Sequence, residues 1–250
     1  MAKATNIGKF LGYDKLVFFD CETTGLDPEK DQITELAAVV VYDDRRSVRM
    51  DLFIQLPEGE TLKPEIVELT GITDQMLREK GITEEIAMRS FMELLVGNTL
   101  LIAHNAQFDL NFVYEALKRN KEINAMPFFD ADYMDTLTVF KDRRPYPHRL
   151  ENAIEKYKLQ NVENSHRAID DVLALAAVYD AMFIEKADCR LREYINLFGF
   201  NPKYDVFGTH FLKVIYAPQK YEKSQKWPLP FYQALPYKVR RAQQKKEGTA

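Results

Sequence analysis

Thiol, indole and imidazole are scarce in this chain: 250 residues hold two cysteines, one tryptophan and four histidines. Cys21 and Cys189 fall short of a disulfide framework or a cysteine-rich zinc site, and a reducing cytoplasm is the expected location. No apolar run approaches the roughly 20 residues that span a bilayer, and Met1 to Asn6 lack the apolar stretch of a secretory signal, so no membrane partner is expected. Basic charge is in deficit too. With 34 Lys/Arg against 38 Asp/Glu the net charge is −4, which argues against a general nucleic-acid coat. Neither an internal repeat nor a low-complexity tract is present, which excludes solenoids and arrays.

What is there reads as globular, with 46% hydrophobic and 29% charged residues. The length suits one good core and a small appendage. Composition divides the chain into 1–187 and a C-terminal extension, 188–250, rich in aromatics and prolines. Residues 201–250 carry ten Lys/Arg against three Asp/Glu, a basic tail on an acidic body. Tyr204, Phe211, Tyr216 and Trp227 belong to this extension. Two readings of it stay open: the rings pack on the body, or they stack on bases while the lysines follow a phosphate backbone.

Three short stretches carry the chemistry. The first, Asp20-Cys21-Glu22-Thr23-Thr24-Gly25, follows the apolar run at 15–19, which reads as a central strand. Alternation along a strand puts Asp20 and Glu22 on one side and Cys21 on the other, so Cys21 reads as core. Gly25 is free to take a positive φ in the turn that follows. The second stretch, His104-Asn105-Ala106-Gln107-Phe108-Asp109, joins a strand at 99–104 to a helix at 106–120; Asn105 is its expected cap, with Asp109 one turn in. The third runs from His166 to Asp171 at the start of a helix reaching about residue 185. Asp171 is read as the working acid and Asp170 as pointing elsewhere. His148 and His210 read as ordinary surface or half-buried histidines. Carboxylates with almost no sulfur or imidazole suit hard cations such as Mg²⁺ or Mn²⁺, and two such ions held together serve phosphodiester hydrolysis.

Elsewhere, strands are expected at 33–42 and 48–55, forming a hairpin, and at 128–132. Helices are expected within 63–80 on either side of Gly71, at 83–96, 133–140 and 149–157. Residues 211–216 read as a strand. Strands followed by alternating strands and helices give a mixed α/β sheet.

The strings D-x-E-T-T-G, H-N-x-x-F-D and H-x-x-x-x-D, in this order, resemble the three motifs of the DEDDh family of 3′-to-5′ exonucleases, which includes proofreading epsilon subunits, ribonuclease T and oligoribonuclease. The resemblance covers about residues 15–185, with Leu69 to Thr73 and Asp135 to Leu137 also familiar from the family. It implies a ribonuclease H-like mixed sheet flanked by helices. It also implies two Mg²⁺ (or Mn²⁺) ions on Asp20, Glu22, Asp109 and Asp171, one ion activating a water and the other stabilising the leaving 3′-oxygen. His166 is then the general base, a role that suits an imidazole with an ordinary pKa of about 6.5. Thr23, Thr24, Gly25 and Leu26 are implied to contact the terminal nucleotide, with Leu26 wedged against its base, and His104, Asn105 and Phe108 to shape the site. The expected substrate is a nucleic acid with a free 3′ end, in single-stranded form, and the product a nucleoside 5′-monophosphate. The alternative is a proofreading subunit whose extension docks on a polymerase; a third, a catalytically dead binder, is opposed by the intact acids and His166. The motifs leave DNA versus RNA, substrate length and oligomeric state open.

Overall fold

A computed structural model of the chain describes residues 10–44, 46–160, 162, 165–185, 190–200, 211 and 213–219. Strands β1 (Lys15–Thr23), β2 (Ile33–Tyr42), β3 (Ser47–Phe53), β4 (Thr99–Ala103) and β5 (Asp132–Asp135) form one sheet in the order β3-β2-β1-β4-β5. β1 to β3 are antiparallel neighbours, whereas β4 and β5 run parallel to β1. This is the mixed sheet expected from the sequence.

β1 is buried on both faces because both are covered by helices. Val17, Phe19 and Cys21 join one core with residues of α3 (Glu84–Leu95), α4 (Ala106–Arg119) and α5 (Met126–Asp130). Leu16 and Phe18 join the other, against α6 (Thr136–Arg143), α7 (Leu150–Tyr157) and α8 (Ala168–Glu185). Two short helices, α1 (Pro64–Thr70) and α2 (Asp74–Lys80), separated by Gly71 in the left-handed region at φ 69°, complete the elements before α3. Among the described residues no helix is long and apolar enough to cross a membrane.

Several elements depart from expectation. The stretch 128–132 is not a strand. Pro127 stands in the first helical positions of α5, where its fixed φ and missing donor are tolerated, and the strand begins only at Asp132. The helix expected from 133 begins at Thr136, because Asp135 caps it through the amides of Leu137 and Thr138. The third strand ends at Phe53 rather than 55. The strand expected at 211–216 is displaced to β7 (Ile215–Pro218), since Val214 N closes a turn on Phe211 O.

β7 pairs in parallel with β6 (Leu197–Phe200), reached through a 3₁₀ turn at Arg190–Tyr194. The pair is anchored at the β5 edge, which would otherwise present unpaired amides and carbonyls. Ile195 bridges Met134. Asn196 accepts from Tyr133 N at 2.9 Å through Oδ1, and its Nδ2 donates to Asp132 Oδ1 at 2.8 Å. Phe211 is buried, edge-on to Tyr133 and Phe128 at 5.5 and 5.7 Å. Cys189, Tyr204, His210, Trp227 and the basic residues beyond 219 lie outside the described residues.

Phe211→Ala is expected to lower stability by about 3–5 kcal/mol, the cost of emptying a buried aromatic site. Chemical denaturation measures it, and a loss below about 0.5 kcal/mol, typical of surface changes, would contradict this packing.

Candidate active site

The face of β1 that carries Leu16 and Phe18 continues, two residues at a time, to Asp20 and Glu22. Both acids therefore emerge at the carboxyl end of a central strand, under α8. Cys21, on the opposite face, is a buried free thiol. Its backbone N donates to Asp109 Oδ1 at 3.1 Å, so the third carboxylate is tied to β1 between the first two. Asp109 is buried in the first turn of α4. The fourth, Asp171, is buried in the first turn of α8. Ligand atoms of Glu22, Asp171 and His166 lie within 4.8 Å of one another. His166 is exposed, and Asp170 turns aside to accept from Ser165 Oγ at 2.6 Å.

His166 stands at φ 55°, in the left-handed region, uncommon for a residue with a Cβ. The next two residues are held by Glu35. Arg167 Nη2 donates to Glu35 Oε1 at 2.8 Å, Arg167 Nε lies 3.2 Å from both carboxylate oxygens, and Ala168 N donates to Oε2 at 3.1 Å. The Glu35 side chain is fully buried, and the Arg167 guanidinium also lies 5.1 Å over the Phe53 ring. Neither residue occupies a defined position of the three motifs. A lone acid inside the apolar strand 33–42 was the available signal, because a buried charge needs a partner.

Gathering four acids has an electrostatic cost. Burial, then the charges of Asp109, Asp171 and Glu22, push Asp20 well above the usual carboxylate range. Burial and the neighbouring Asp171 and Glu35 push Glu22 up to about 8. Burial pushes Asp109 up to about 8, against the hydrogen bond from Cys21. Such a set resists full ionisation unless a cation joins it. A hard, oxygen-only donor set of this kind fits divalent Mg²⁺ or Mn²⁺.

The loop after β1 is shaped by Asp31. Its carboxylate accepts from Thr24 Oγ1 at 3.1 Å and Asp27 N at 2.9 Å. Gly25 does not take a positive φ; glycine is needed because a Cβ there would lie 2.4 Å from Asp31 Oδ2. Thr23 is buried and donates to Gly25 O at 2.6 Å, leaving Leu26 84% exposed beyond it. Asn105 takes φ 74° and makes no side-chain cap. Asp135 accepts instead, from Asn105 N and Ala106 N at 2.9 and 3.3 Å. His104 is not free to meet a ligand through its nitrogens: Nδ1 lies 3.0 Å from Thr136 Oγ1 and Nε2 2.9 Å from His148 O. Burial pushes its pKa down. Phe108 is half-buried against Phe112, with ring centroids 4.9 Å apart. His104, Asn105, Phe108 and Asp135, with His148, line one cleft of about 910 Å³ that contains the acids and His166, whereas Thr23, Thr24, Gly25 and Leu26 are not part of its lining.

The ribonuclease T family model, described as an exonuclease, matches residues 17–179. The PolC-type DNA polymerase III of Bacillus subtilis is 34% identical over 184 residues, which are 72% of this chain and 12% of that polymerase. Escherichia coli exonuclease I in complex with a dA16 oligonucleotide shares the fold with a TM-score of 0.61 at 24% identity, over 72% of this chain and 42% of that one. The zinc-bound form of its complex with single-stranded DNA gives 0.60 at 24% identity, over 73% and 42%. The fold is thus ribonuclease H-like, and the chain spans about an eighth of the length of the polymerase it matches.

Glu35→Ala is expected to destabilise the protein by about 3–5 kcal/mol, because it strands Arg167; urea unfolding measures this. A pH dependence follows from the acids. Without metal, Glu22 and Asp109 keep protons to about pH 8 when folded and release them near pH 4 when unfolded. The unfolded chain then binds fewer protons between these limits, so stability falls as pH rises from about 5 to 8. Metal-stripped protein should show a falling Tm across that window, and Mg²⁺ or Mn²⁺ should raise Tm more at pH 8 than at pH 5. A flat Tm without metal would contradict the repulsion.

Proposed function

Because the chain belongs to the ribonuclease T family of exonucleases, we propose that it removes nucleotides from the 3′ end of single-stranded DNA or RNA by hydrolysis, releasing nucleoside 5′-monophosphates. The observation that carries this reading is the convergence of Asp20, Glu22, Asp109 and Asp171 on one cleft with His166 at its margin. The four carboxylates would hold two divalent ions. When bound, these ions supply Lewis acidity at the scissile phosphate and neutralise charge on the leaving 3′-oxygen.

His166, exposed beside Glu22 and Asp171, takes the proton of the attacking water on a ring nitrogen. A phosphorus–oxygen bond forms to that water as the bond to the 3′-oxygen breaks, and the 3′-oxygen leaves with a proton from solvent. Thr23, Thr24 and Gly25 form the loop under the terminal nucleotide, and Leu26 is exposed where it meets the base. Asn105 and Phe108 shape the cleft wall, while His104 acts by holding the loop around His148.

DNA is the first substrate to test, since the exonuclease I neighbour was seen with dA16. The cytoplasm is the proposed location. A second reading has the chain proofreading for a polymerase, as the PolC-type relative suggests. On that reading, residues 188–250 form a separate docking module. The seating of Phe211 and Asn196 at the β5 edge favours the alternative, in which the described residues 190–200, 211 and 213–219 are integral to the body.

A 5′-labelled oligonucleotide with Mg²⁺ or Mn²⁺ should give a ladder shortening from the 3′ end. Asp20→Ala and His166→Ala should each lower the rate by at least about 10²-fold, the lower range for loss of a general base. An intact strand at high enzyme, with either metal, would sink the proposal.

A further inference from the structure

The cleft is not built by the family-matched stretch alone. Phe198, Gly199, Tyr216 and Gln219 line it together with the acids, and all four lie beyond the stretch 17–179. Its 910 Å³ is at the upper end of the roughly 300–1,000 Å³ usual for small-molecule sites, leaving room beyond a single nucleotide.

This added wall is held in place. Gly199 N donates to Thr138 Oγ1 at 2.8 Å, and Gln219 Nε2 donates to Thr138 O at 2.9 Å and Asp142 Oδ1 at 3.1 Å. The two strands approach so closely that a Cβ on Gly199 would lie 1.8 Å from Gln219 Oε1. Buried Phe198 supports the Tyr216 ring edge-on, at 6.0 Å and 89°. Tyr216 is half-buried and lines the cleft together with Gln107 and the acids Asp20, Glu22, Asp109 and Asp171. Lys141 of α6 lines the same cleft, as does exposed Arg149.

Resting on the exonuclease reading above, we propose that Tyr216, backed by Phe198 and flanked by Gln107 and Lys141, forms a subsite for the nucleotide adjoining the one removed. The aromatic ring takes the base by stacking, and the lysine faces the connecting phosphate. Stacking is indifferent to base identity, so the subsite selects for an unpaired strand longer than one nucleotide and not for sequence.

The test compares kcat/KM of the full chain, with Mg²⁺ or Mn²⁺, on two substrates. The p-nitrophenyl ester of thymidine 5′-monophosphate fills only the terminal position, whereas an oligothymidylate also reaches the subsite. Tyr216→Leu is expected to lower the oligonucleotide-to-ester ratio about tenfold, mostly through KM, the scale of one lost base–ring stack. Tyr216→Phe keeps the ring and is expected to recover most of the ratio. Parallel losses on both substrates, or no change, overturn the subsite. A second arm avoids any folding defect. Binding of labelled mono-, di- and trithymidylate to the unaltered protein in Ca²⁺ should tighten about tenfold from one residue to two, and no step there also overturns it. Protein that shows the binding step but hydrolyses neither substrate would refute the exonuclease reading while leaving the subsite standing.

Discussion

Like charges do not share a dry site willingly, and the mutual repulsion of Asp20, Glu22, Asp109 and Asp171 is the constraint around which this fold is organised. Three separate devices deliver the four acids. Strand alternation brings two, a hydrogen bond from the Cys21 backbone fixes the third, and the first turn of α8 presents the fourth. The two hydrophobic layers on either face of β1 offset the cost, because they leave these elements no alternative packing that would separate the carboxylates. Glu35 and Arg167 extend the same logic. An ion pair on a fully buried carboxylate contributes little net stability, but it fixes where α8 begins, and with it both His166 and Asp171.

The segment after α8 adds a second layer of organisation. The family-matched stretch supplies the acids, and the β6–β7 pair adds Phe198, Gly199, Tyr216 and Gln219 to the cleft wall. Ile195 and Asn196, just before β6, cover the edge of β5. Closing a sheet edge and lining the cleft are thus achieved by one small structure, and losing it would expose backbone as well as alter the cleft.

Much of this was legible in the sequence, for local reasons. A continuous apolar run ending in Asp-x-Glu fixes a central strand and the side on which its acids emerge. Spacing along one helix start places His166 against Asp171. What was hidden depended on distant partners. Phe128 and Phe129 resemble strand residues, yet Pro127 starts a helix and the rings fill a core shared with Phe211. Asn105 has the chemistry of a cap, but a carboxylate some 30 residues later does the capping. Gly25 was credited with backbone freedom when the reason for it is the Asp31 side chain. Phe198 and Tyr216 carry no local sign of their place, since only the pairing of two strands across the intervening chain brings them to the cleft.

Asp135 has a consequence of its own. One oxygen of this buried carboxylate receives the amides of Asn105 and Ala106 at the start of α4, and also that of Leu137 in α6, while its other oxygen takes Thr138. The two helices that flank the cleft are therefore riveted at a single point. Such a joint lets the walls rock together but not spread apart. Any widening to admit a strand falls instead to the loop that lines the cleft from Tyr146 to Arg149, where Tyr146 stands out into solvent.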